Sequence, residues 1–155
     1  MDKETLARRE ALQRLAAAGA VGVAAAGNLA QAPAQAAGVA AYDPTARFDL
    51  AVSEIEMRRN IAGRMLMARI YQPKGAGPFP TMLDLHGGAW SRKDRLAEEP
   101  MDRALASSGL LVVAVDLTNS PEAPYPACIQ DANYAARWLK ANARRWNGDA
   151  SRLGV

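Results

Sequence analysis

The chain has a single histidine, His86, and a single cysteine, Cys128, and these counts narrow its side-chain chemistry at once. General-base catalysis by His86 requires an acidic partner and a nucleophile within reach, and the sequence identifies neither. One thiol makes no internal disulfide, and one thiol with one histidine makes no zinc site. Cys128 is therefore expected to be a small buried apolar residue. Ser120, in NSPEAP, lacks the glycine elbow that marks a nucleophile. No phosphate loop or metal cluster occurs, so no cofactor is expected. The main chain is more promising. In LDLHGGAWSR (83–92) an apolar run ends at His86, and Gly87 and Gly88 follow. Glycines let the backbone approach a ligand closely. Amide N–H groups in such a loop can converge on a developing oxyanion, where each donor is worth about 3–4 kcal/mol.

Such a loop needs a rigid strand beneath it. Residues 81–85 read as a short buried strand ending at His86. Residues 48–56 and 64–71 read as an antiparallel pair at a sheet edge, with the glycine- and proline-rich QPKGAGPFP as a turn. Pro100 opens a helix whose inner face is expected to be Met101, Ala104 and Leu105, and Gly109 ends it. Residues 110–115, LLVVAV, form an unbroken apolar run, the pattern of a parallel strand buried on both faces. A second helix is expected from Pro126 to about Trp146, with Cys128, Ala132, Ala135, Leu139 and Ala143 inward and Gln130, Asn133, Arg137, Lys140 and Arg144 outward. Arg152 begins a further apolar run. This alternation predicts a three-layer α/β sandwich with a mostly parallel sheet. A loop at the carboxyl end of a central strand is where such sheets place ligands. Asp116, at the end of the 110–115 strand, and Asp131 are expected to hydrogen-bond neighbouring loops. Asp84 lies within a strand and is assigned no chemistry. Arg92, Lys93 and Arg95 read as a solvated lead-in to the first helix.

Composition sets outer bounds. With 155 residues, half of them hydrophobic, the chain has the length of about one domain. A net charge of +3 with scattered basic residues does not describe a nucleic-acid binder. Residues 1–36 have a charged head with the pair Arg8-Arg9, a weakly apolar Ala/Gly-rich stretch, and small residues at Ala34 and Ala36. That layout resembles a secretory signal of twin-arginine type. It implies contact with export machinery and a periplasmic or secreted product. The apolar stretch falls short of the roughly 20 strongly apolar residues of a membrane span. Residues 37–47 read as a linker and 48–155 as the folded part.

Three motifs in this order carry a resemblance: HGGAW (86–90), VAVDLTNSPEAPYPACIQDANYAARWLKANA (113–143) and GDASRLGV (148–155). The chain resembles α/β-hydrolase fold esterases of the hormone-sensitive-lipase-like and acetylesterase type, whose oxyanion loop is HGG-x-[WF]. The resemblance covers residues 48–155. It implies hydrolysis of small-molecule carboxylic esters through an acyl-serine. Gly88 and Ala89 would supply oxyanion N–H groups and Gly87 would shape the loop. His86 and Asp116 would hold that loop, and Trp90 would line the acyl side of the pocket. Two positions depart from the family: alanine stands at 89, where a third glycine is frequent, and threonine at 118, where arginine is common. The family's nucleophile sits in G-x-S-x-G just after the strand that Leu153–Val155 begins, and its acid and histidine follow it. No G-x-S-x-G occurs here. The chain is thus expected to be the N-terminal part of such an enzyme, with an oxyanion hole and no triad, inactive by itself. Arylformamidases, which share HGG-x-W, supply an amide-hydrolysing alternative. A short non-catalytic exported binding protein supplies another.

Overall fold

The computed structural model describes Asp43 and residues 45–155; the signal expected at 1–36 and most of the linker expected at 37–47 lie outside the described residues. The elements follow as β1 (Leu50–Arg59), β2 (Met65–Pro73), β3 (Phe79–Leu85), α1 (Glu99–Ser107), β4 (Leu111–Val115), α2 (Ala127–Asn142), a 3-10 turn (Ala143–Trp146) and β5 (Gly148–Gly154).

β4 has no polar position to turn outward, and all five of its residues are buried. Leu111, Val113 and Val115 join the larger core with Leu66, Ala68, Ile70, Leu83, Ala135 and Leu139. Val112 and Ala114 point the other way, into a smaller core with Tyr71 and Ala106. The period-2 alternation of strands thus divides one apolar run between two helices on opposite faces. The result is the expected three-layer α/β arrangement.

The strand order is β1-β2-β4-β3-β5. β3 pairs in parallel with β4 and with β5, while β1 and β2 add an antiparallel hairpin against β4. From β3 to β4 the chain moves one way across the sheet; from β4 to β5 it moves back past β3. Right-handed crossovers then require the two connecting helices to lie on opposite faces, which is where the two cores put α1 and α2.

Several boundaries and faces differ from the sequence reading. The buried residues of α1 are Asp102 and Ala106, whereas Met101 is about half exposed and Ala104 is exposed. The inner stripe is turned by one residue because Asp102 faces the sheet. α2 buries Ala135 and Leu139 as expected, and Ala143 just beyond it is buried too, but its first turns bury Ala127 and Asp131 in place of Cys128 and Ala132. Asp131 can be interior because Thr118 donates to it twice, and a hydrogen-bonded carboxylate tolerates burial. Cys128 is consequently half-buried rather than interior. β5 begins at Gly148, before the apolar run at 152. It pairs along Phe79–Met82 and leaves Leu83–Leu85 without a partner on that side among the described residues.

Candidate active site

The connections leaving the carboxyl ends of β3 and β4 lie side by side. After Leu85 the chain passes through His86 and Gly87 into a turn, where the Ser91 N–H donates to the Gly88 carbonyl (3.2 Å). Three consecutive residues have positive φ: Gly88 at 105°, Ala89 at 53° and Trp90 at 57°. Only Gly88 holds such a value without steric penalty. Ala89 and Trp90 are left-handed non-glycine residues, each costing about 1–2 kcal/mol. Strain of this kind persists where surrounding structure over-determines the backbone, and it clusters at functional sites. A Cβ on Gly88 would stand 2.2 Å from the Arg92 carbonyl oxygen, while one on Gly87 would meet nothing within 4 Å. The N–H groups of Gly88 and Ala89 donate to no acceptor among the described residues.

His86 is buried, and its Nδ1 lies 2.8 Å from the Gly87 carbonyl oxygen. A carbonyl only accepts, so Nδ1 carries the proton. Nε2 is buried with no partner among the described residues. Trp90 is 69% exposed, and its carbonyl accepts from the Ser120 N–H at 2.6 Å. That bond, with Asn119 Nδ2 donating to the Lys93 carbonyl (3.3 Å), joins the two loops.

Asp116 anchors the segment behind the turn. Its Oδ1 accepts from the Arg95 N–H (3.1 Å) and from Arg95 Nη1 (3.3 Å), and its Oδ2 accepts from the Met67 N–H (3.0 Å). Arg95 also donates to Glu54 (2.9 Å). With Arg69 as a second partner it holds the Glu54 carboxyl below its ordinary range. Arg95 is therefore not the solvated lead-in residue expected from sequence. It is a two-carboxylate clamp, and its position five residues after Trp90 gives no hint of this because both partners come from other strands. The second loop is braced through Thr118. Its N–H (2.9 Å) and hydroxyl donate to Asp131, and the hydroxyl accepts from Asn60 Nδ2 (3.0 Å). Glu122 accepts from Asn60 and Arg64, each at 2.8 Å. The Arg64 guanidinium beside it holds the Glu122 carboxyl below its ordinary range.

Between the loops lies an apolar cavity of about 360 Å³ lined by Trp90, Thr118, Ser120, Ala123, Tyr125, Cys128 and Ile129. Its volume and apolar walls suit one moderate organic group. Among the described residues no group of three or more His, Cys, Asp or Glu side chains is placed to hold a metal. Among the described residues no helix is long and apolar enough to cross a membrane.

The chain is similar to known proteins. The carboxylesterase NlhH of Mycobacterium tuberculosis is 39% identical over 89 residues, covering 56% of this chain and 28% of its own length. The present chain thus spans under a third of that relative. A thermophilic esterase from the planctomycete Thermogutta terrifontis, Est2, superposes with a TM-score of 0.60 at 20% identity, covering 66% of this chain and 38% of that one. MGS-M1, an alpha/beta hydrolase enzyme from a deep-sea metagenome library, superposes at 0.57 with 18% identity, covering 67% and 44%. These likenesses establish the α/β-hydrolase fold. The BD-FAE family model matches residues 69–155, more than half of the chain, and the chain therefore belongs to the BD-FAE family.

Proposed function

We propose that residues 48–155 are the N-terminal part of the catalytic domain of a serine esterase, and that the Gly88 and Ala89 N–H groups bind the oxyanion formed when a carboxylic ester is attacked. One observation carries this reading: two unengaged N–H groups sit in a strained turn at the carboxyl end of β3, beside an apolar cavity. Nucleophilic attack moves negative charge onto the carbonyl oxygen. Donors fixed in advance stabilise that charge without reorganising, and losing one lowers kcat by about 10²–10³. In this reading Gly87 shapes the loop. His86 holds the Gly87 carbonyl and so sets the peptide plane that presents the Gly88 N–H. Asp116, through Arg95, fixes where the turn ends, and Trp90 walls the side of the cavity that takes the acyl group. The serine, its histidine and their acid belong to chain that residues 1–155 do not include, so these residues alone provide no triad.

The N-terminal 36 residues serve as a twin-arginine export signal, which would place the product in the periplasm or outside the cell. Replacing Arg8 and Arg9 by lysine is expected to retain the protein in the cytoplasm of an expressing bacterium. Equal periplasmic recovery of the variant would count against it.

The reaction is tested by expressing the open reading frame that contains these residues and assaying it on p-nitrophenyl acetate and N-formylkynurenine. Faster turnover of the ester, with a burst of p-nitrophenol, is expected. Faster turnover of the formamide would replace the esterase reading with an amidase one. Activity on neither would remove both.

A further inference from the structure

β2 runs antiparallel to β4, with Ala68 opposite Val115, so β2 begins where β4 ends. The turn at residues 60–64, the tip of the β1–β2 hairpin, therefore stands beside the loop that leaves β4. Asn60 closes this turn. Its N–H donates to the Arg64 carbonyl (2.9 Å), and its Oδ1 accepts from the Arg64 N–H (2.8 Å). Gly63, at φ 85°, lets the chain double back. Asn60 Nδ2 then donates out of the hairpin, to Thr118 Oγ1 (3.0 Å) and to Glu122 Oε2 (2.8 Å). Arg64 spreads its guanidinium over the same loop. Its Nε donates to Glu122 Oε2 (2.8 Å), its Nη2 donates to the Leu117 carbonyl (2.8 Å), and its Nη1 stands 3.7 Å from Asp116 Oδ2.

The loop held in this way is a wall of the apolar cavity. The Asn119 carbonyl accepts from the Glu122 and Ala123 N–H groups (2.9 and 3.2 Å), which folds 119–123 into one turn. Its far side is tied to the Trp90 carbonyl through Ser120. Thr118, Ser120 and Ala123, which line the cavity, thus lie between two attachments. The run Asn119-Ser120-Pro121-Glu122 has only the Pro121 ring to bury, so hydrogen bonds set its position. A guanidinium fork fixes geometry as well as charge. An apolar wall discriminates between substrates only while its atoms keep their distance, because dispersion contacts fade over a gap of an ångström or less. We infer that Asn60 and Arg64 are positioning residues that hold the Thr118–Ala123 wall and thereby set a preference for esters of longer acyl chains. The inference rests on the proposed esterase reading for its substrate.

The test uses the protein expressed from the full reading frame, with p-nitrophenyl acetate and p-nitrophenyl butyrate as probes. Each buried methylene is worth about fourfold, so kcat/KM should be about 15-fold higher for the butyrate. In Arg64→Met that advantage should fall to about threefold or less, through KM, while kcat on the acetate is kept. Arg64→Lys keeps the charge beside Glu122 and loses the fork; it should lie between the two, and it replaces Arg64→Met if that variant does not fold. Arg103→Met removes an ion pair on α1 and should keep the unmodified ratio, which separates lost selectivity from lost stability. Labelling of Cys128 by N-ethylmaleimide, located by peptide mapping, reports the wall without turnover and should be several-fold faster in Arg64→Met. A butyrate-to-acetate ratio unchanged in folded Arg64 variants would overturn the proposal. So would an equal loss of kcat on both esters, or an unmodified enzyme without a preference for the butyrate. Turnover of neither ester by the unmodified protein would remove the esterase reading instead. The labelling rate then decides the positioning role: faster labelling in Arg64→Met upholds it, and equal rates overturn it.

Discussion

Replacing Gly88 by alanine should destabilise the protein far more than the same change at Gly87, although the two glycines are adjacent. At Gly88 the backbone has φ 105°, a region that costs an L-residue about 1–2 kcal/mol. The new Cβ would also stand 2.2 Å from the Arg92 carbonyl oxygen. That neighbour is main chain, so no side-chain rotation removes the clash, and forced backbone shifts cost about 1–3 kcal/mol. Together these give about 2–5 kcal/mol. At Gly87 a Cβ meets nothing within 4 Å, and the cost should stay near 0.5 kcal/mol, as for surface changes. Ala89→Gly runs the other way. Releasing an alanine from φ 53° recovers about 1 kcal/mol of strain, partly offset by the greater freedom of glycine in the unfolded chain. Urea midpoints at constant m-value measure all three. Costs for Gly88→Ala and Gly87→Ala that agree within 0.5 kcal/mol, the working scatter of surface substitutions, would refute the loop geometry on which the proposed site rests.

Asp102 makes stability fall as pH rises. An unfolded aspartate releases its proton near 3.8 and the folded one at about 7. The contribution of Asp102 is therefore complete below pH 4 and lost progressively up to pH 7, by about 4 kcal/mol if it acts alone. Asp84, Glu98 and Glu99 face the same group, so Asp102→Asn should flatten this slope without removing it. At pH 8 the variant should be about 1–3 kcal/mol more stable after the cost of a buried amide; denaturant titrations at pH 5 and pH 8 check this, and a variant less stable at pH 8 would contradict it. Asp116→Ala should cost about 2–5 kcal/mol, because it leaves the Arg95 and Met67 N–H groups unpaired and removes one of the two carboxylates on the Arg95 guanidinium, and should accelerate amide exchange at Arg95. Unchanged exchange there would show that Asp116 does not hold the loop.

Much of this architecture was legible because periodicity and apolar runs report which faces are buried. β4 is the clearest case: five apolar residues without a polar interruption admit few arrangements other than a central strand. The glycine pair after His86 marked the turn, and Pro100 and Gly109 bracketed α1. Partners distant in the chain hid the rest. Asp131 reads as a carboxylate bonded to a loop, but its full burial shows only once Thr118 arrives from the other loop to satisfy it, and with Asp131 inside, Cys128 lies at the cavity wall. Arg95 reads as a surface cation until Glu54 and Asp116 flank it. GDASR carries no strand pattern, yet pairing with β3 and the local bonds of Ser151 and Arg152 to Asp149 make it one. Asp102 has only a faint signal in the sequence, its place four residues before Ala106 on the row leading to Gly109.

The claim that the turn after β3 binds an oxyanion is tested most directly by kcat for p-nitrophenyl acetate in the protein expressed from the full reading frame, comparing Gly88→Ala with Gly87→Ala in folded samples. Displacing the Gly88 N–H is predicted to lower kcat by about 10²–10³ while Gly87→Ala keeps most of the activity. A folded Gly88→Ala enzyme with an undiminished kcat would contradict it.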